Sequence, residues 1–106
     1  MTELDQAPPP DRARYRDELF DAFLTLRSRG EVEAFLSDLC TPSEIRSFVE
    51  RWQVAALLDG DRLTYREIAD EAGASTTTVT RVARFLREMP FRGYRLAFDR
   101  LREQRR

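Results

Sequence analysis

Residues 64–88, Thr-Tyr-Arg-Glu-Ile-Ala-Asp-Glu-Ala-Gly-Ala-Ser-Thr-Thr-Thr-Val-Thr-Arg-Val-Ala-Arg-Phe-Leu-Arg-Glu, read as two short helices joined by a tight turn. Thr64 and Glu67 stand at the spacing of a capping box, which predicts a helix start at Tyr65. Ile68, Ala69 and Ala72 give that helix one apolar face with room for a close neighbour. Gly73 ends it, because glycine reaches the left-handed conformation that a tight turn requires. Ser75 then caps a second helix, in which Val79, Val82, Ala83 and Leu86 recur at helical spacing and face inward. Thr76, Thr77, Thr80, Arg81 and Arg84 are left outside. This pattern predicts a helix-turn-helix whose second helix enters the major groove of DNA by its N-terminal end. The plainer alternative is a helical hairpin with a solvated threonine face. Threonine argues against it: the branched carbon lowers helix propensity, yet four threonines fall within residues 75–80. Hydroxyls and methyls suit phosphates, base edges and thymine methyls.

Working toward the N-terminus, Thr41-Pro42-Ser43-Glu44 is the clearest helix start in the chain. Thr41 is placed to cap and Pro42 to occupy the first helical position. Ile45, Phe48, Val49, Trp52, Ala55 and Ala56 follow at helical spacing, and Asp59-Gly60-Asp61 closes the element. Before it, residues 11–28 read as one helix with a wide stripe of Tyr15, Leu19, Phe20, Phe23, Leu24 and Leu26. Gly30 is expected to break that helix, and Val32, Phe35, Leu36 and Leu39 mark a shorter second one. These two helices carry more large apolar side chains than a hairpin can hide, so they are expected to cover another copy of the chain or the helix that begins at Pro42. Residues 1–10, with Ala7-Pro8-Pro9-Pro10, are expected to form a disordered tail. Beyond the paired helices, Pro90 blocks continuation. A last helix is expected over residues 92–103, with Tyr94, Ala97, Phe98 and Leu101 on one face, and residues 102–106 read as a basic tail. The prediction is thus an all-α, six-helix domain over residues 11–101.

Composition bounds the chemistry. The chain has 106 residues, a formal net charge of −1, and eighteen basic residues that are all arginine. From Arg81 onward nine arginines face three acids, so the basic charge is concentrated in the C-terminal part. Histidine and lysine are absent and Cys40 is the one cysteine. No general-base histidine, no Schiff-base lysine and no metal set is therefore expected, and an enzyme is not. A single cysteine cannot form an internal disulfide and fits a reducing compartment. With neither a signal peptide nor a membrane-length apolar run, a cytoplasmic protein is expected.

The order of helices, the Leu39-Cys40-Thr41-Pro42-Ser43-Glu44 segment, Arg51 and the Gly73–Arg81 stretch together resemble the Trp repressor superfamily, and more closely its YerC/YecD-type members. The resemblance covers residues 11–101 and is strongest over 71–84. It implies intertwined all-helical homodimers that read a palindromic operator as transcriptional regulators, most readily repressors. It assigns DNA contacts to Ser75, Thr76, Thr77, Thr78 and Thr80, with Arg66 from the preceding helix. Arg81 and Arg84 would add charge to this set. A position that is basic in Trp repressor is Ala69 here, so the contact set is not identical. The resemblance also matches Arg51 and Arg81 to the arginines that sandwich a tryptophan co-repressor, with Thr41 near its amino group. Val82 and Phe85, however, replace the small residues that leave room for an indole, so no tryptophan cofactor is expected. Arg51 and Arg81 would then pair with acids such as Glu44 or Asp70, or hold phosphates. A reading of another class is a helical protein-interaction or regulatory module without DNA binding; a salt-sensitive gel shift separates the two.

Overall fold

A computed structural model describes residues 11–105. The expected tail over residues 1–10 lies outside the described residues, as does Arg106. The described chain forms six helices: α1 (Arg12–Leu24), α2 (Arg29–Leu39), α3 (Pro42–Gly60), α4 (Tyr65–Ala72), α5 (Thr76–Arg87) and α6 (Gly93–Gln104). They belong to two compact units that divide between Thr41 and Pro42. Among the described residues no helix is long and apolar enough to cross a membrane.

The first unit holds α1 and α2. The expected single helix over 11–28 ends at Leu24, where the Thr25 hydroxyl and amide both turn back onto the Ala22 carbonyl. Gly30 does not break a helix but lies in the first turn of α2. Ser28 is the reason: its side chain accepts the Glu31 amide at 3.1 Å, while the Glu31 carboxylate accepts the Arg27 amide at 2.8 Å. Phe23 and Phe35 meet edge to face with centroids 5.1 Å apart. No residue of α1 or α2 is buried.

The second unit holds α3–α6 around one core. Val54, Ala55 and Leu58 of α3, Ile68 and Ala69 of α4, Val79, Val82 and Ala83 of α5, and Phe98 of α6 are buried together. The inward positions expected on α4 and α5 are the ones the core uses. Helix α3 packs on α4 and α5, and α6 packs on α5. Trp52 stacks on Phe98 at 4.5 Å, which fixes α6 against α3.

Polar contacts lock the same corner. Arg95 grips Asp59 at the end of α3 with two bonds, 2.7 and 3.2 Å, and Arg102 adds a third. The Asp59 side chain is only 13% exposed. The hydrogen bond from Arg95, its charge and the contact with Arg102 outweigh the burial and hold the Asp59 carboxyl below the ordinary aspartate value.

Candidate nucleic-acid interface

The candidate interface is built from the start of α4, the turn and the outer face of α5. Helix α4 begins with a reciprocal cap. Thr64 accepts the Glu67 amide at 3.1 Å, and the Glu67 carboxylate accepts the Thr64 amide at 2.8 Å. That amide bond holds the Glu67 carboxyl below its ordinary value. Arg66 sits in this exposed first turn.

Gly73 adopts φ 65 and ψ 29, the left-handed conformation expected of it. The next amide, of Ala74, bonds back to the Ala69 carbonyl at 2.9 Å, closing a Schellman turn. Ser75 then caps α5 by accepting the Thr78 amide at 3.0 Å. Three residues thus join the two helices, and Val79, Val82 and Ala83 in the core anchor α5 beyond the turn.

The outer side of α5 is consequently polar and open. Thr76, Thr77, Thr80, Arg81 and Arg84 are exposed and, with Phe85, line a groove of about 390 Å³. Helix α5 has no acid in its first turn and carries Arg84 and Arg87 in its last. Unpaired amides at the N-terminus and guanidinium groups along one side make this face attractive to phosphate.

The threonines are not equivalent. Thr78 is half-buried, and its oxygen accepts a bond from the Ser75 hydroxyl at 3.1 Å. Thr80 donates its hydroxyl to the Thr76 carbonyl at 2.9 Å. Thr76 and Thr77 make no side-chain hydrogen bond among the described residues.

The structure places Arg51, half-buried, on α3 with its guanidinium 5.3 Å from the Phe48 ring centroid. Arg81 lies 4.7 Å from the centroid of the Phe85 ring. Both arginines thus rest on aromatic faces, partners that the sequence reading did not consider. Val82 is inside the core. Thr41 is the last residue of the first unit. Among the described residues no cluster of His, Cys, Asp and Glu is arranged to hold a metal ion.

One residue that the sequence reading passed over supports the interface from behind. Arg87, at the end of α5, donates to the Leu58 carbonyl of α3 at 3.2 Å and to the Tyr65 hydroxyl of α4 at 3.4 Å. It ties the far end of α5 to α3 and α4. These partners lie 29 and 22 residues away in sequence, so no local pattern announces them.

An all-helical domain in which a glycine turn presents a threonine- and arginine-bearing helix outward defines the class of protein. The family follows from comparison with known proteins. The family model described as Trp repressor protein matches residues 15–102, and the chain belongs to that family. It is 41% identical over 93 residues to "Uncharacterized protein YerC" of Bacillus subtilis (strain 168), covering 87% of this chain and 86% of that protein. A "Trp operon repressor homolog" of Chlamydia trachomatis serovar D is 46% identical over 69 residues, 58% of this chain and 70% of that one. Among solved structures, a TrpR-like protein from Eubacterium eligens ATCC 27750 matches with a TM-score of 0.78 at 40% identity, over 86% of this chain and 92% of that chain.

Proposed function

We infer that this protein is a sequence-specific DNA-binding transcriptional regulator, acting as a homodimer on a palindromic operator. The observation that carries the reading is the two-sided character of α5. Its inner side is anchored in the core, and its outer side offers Thr76, Thr77, Thr80, Arg81 and Arg84 in one open groove. Arg66 from α4 and Ser75 from the turn complete the contact set, with Thr78 holding the cap. Arginines bind phosphate and guanine, while threonines meet base edges. The names of the Chlamydia relatives favour repression over activation.

Dimerisation is supported by what the chain leaves uncovered. Tyr15, Phe20, Phe23 and Leu24 in the first unit and Phe48, Val49, Leu96 and Leu101 in the second are all exposed. Apolar surface of this kind gains free energy by contact with a second copy, and a two-fold pair of α5 helices matches two half-sites. A free tryptophan co-repressor is not part of the proposal. The ring that lies against Arg81 is Phe85 of the same helix, 4.7 Å from centroid to guanidinium.

The test is selection of bound duplexes from a random pool, followed by binding at increasing salt. The expected site is a palindrome whose affinity falls by about a thousandfold or more between 50 and 200 mM salt, given the number of phosphate contacts such a dimer makes. Substituting Thr77 and Thr80 together by glutamate should abolish binding without unfolding the chain. Undiminished binding by that variant would remove α5 from the interface.

A further inference from the structure

The hydrogen bonds within α5 divide the work of base recognition among its threonines. Thr80 is exposed on the outer side, yet its hydroxyl hydrogen is already committed to the Thr76 carbonyl, one helical turn back. A threonine hydroxyl has one hydrogen to give. Once that hydrogen is held by the backbone, the residue cannot donate to a guanine, to a thymine O4 or to a phosphate without first breaking the bond. What it still offers a base is its methyl group and the acceptor side of its oxygen, and of the two only the methyl can meet thymine's own methyl. Thr76 and Thr77, whose side chains make no such bond among the described residues, keep their hydroxyl hydrogens available.

We propose that Thr80 is a specificity-determining residue that reads the 5-methyl group of thymine through its own methyl, while the hydrogen-bonding readout falls to Thr76 and Thr77. This rests on the DNA-binding reading above and adds to it the base that one side chain selects. In the major groove the methyl is the apolar feature that marks thymine, and an apolar side-chain group is its natural partner. The neighbours fit this division. Arg81 and Arg84 line the same groove and supply the charge, so Thr80 need not contribute a polar contact for affinity.

The measurement is a thymine-to-uracil scan on a duplex that the wild-type protein itself selects. Each thymine position is taken in turn and replaced by deoxyuridine in both half-sites, which removes one methyl per half-site and nothing else. One position should weaken binding by about fourfold per half-site, the value of one buried methyl-sized group. The scan is then repeated with Thr80→Ser and Thr80→Val. Serine keeps the hydroxyl and its bond to Thr76 but lacks the methyl, so the thymine-over-uracil ratio at that position should fall to about one. Valine has the same shape with methyls only, so the ratio should persist. If no uracil substitution matters, no thymine methyl is read; if serine keeps the ratio, another residue reads it; if valine loses it, the hydroxyl is needed; each of these results overturns the proposal. If the wild type selects no duplex at all, the DNA-binding reading itself is wrong, an outcome distinct from either of these.

Discussion

The two units of the chain bury their apolar residues to very different extents. Helices α3–α6 enclose nine buried side chains, whereas α1 and α2 enclose none. Ile68 is fully buried and Leu24 is 82% exposed, though both are large aliphatic residues on amphipathic helices. A helix earns most of its stability from the face it buries rather than from propensity. The second unit therefore contains the reason for its own fold, and the first unit points to a reason outside itself. Under the proposed function that reason is a second copy of the chain.

The contrast can be broken most forcefully at Ile68. Ile68→Ala should cost about 2–5 kcal/mol in urea unfolding, because truncation in an enclosed core leaves a cavity as well as losing burial. A cost near zero would mean that the core of the second unit is not what holds it. Asp59 tests the polar side of that core. Asp59→Asn should cost about 2 kcal/mol, since it removes the charge that Arg95 and Arg102 share in a largely enclosed place and leaves both arginines only Asp99. The dependence on pH has a definite sign. The folded state holds this carboxyl below its unfolded value, so its stabilisation is complete above about pH 4 and fades as acid titrates the folded-state group. Acid unfolding curves of Asp59→Asn should lack that component, and identical slopes for the two proteins would contradict the role given to the pair.

The smallest expected effect sharpens the comparison from the other side. Leu24→Asp should leave the near-ultraviolet signal of Trp52 intact, because that ring stacks within the second unit. Self-association, followed by sedimentation equilibrium, should weaken by about tenfold, or ~1.4 kcal/mol. A variant that associates as well as the wild type would show that α1 is not an intermolecular surface.

Local signals were legible wherever a short stretch settles its own geometry. The Thr64–Glu67 box, the left-handed Gly73 and the Ser75 cap all formed where the residue types require them. The inward set of α5 followed from a period of 3.6. The end of α1 was misplaced because a long apolar stripe outweighed the Ser28-x-x-Glu31 start signal immediately after it. The family, too, could be recognised from motif order alone, and the match over residues 15–102 agrees with it.

Contacts between distant residues were not legible. Asp59 meets Arg95 and Arg102 across 36 and 43 residues, and Arg87 finds the Leu58 carbonyl across 29. Arginine is so abundant in this chain that composition cannot say which guanidinium will find which acid, ring or carbonyl. Nor does a threonine-rich helix reveal whether a hydroxyl bonds the backbone, as at Thr80, or makes no hydrogen bond among the described residues, as at Thr77. By itself the sequence determined the helices, their turn and their family, since capping, glycine conformation and apolar period act over a few residues. Only the tertiary structure decided which arginines brace the core and which face outward, because that choice depends on groups brought together by packing and not by proximity along the chain.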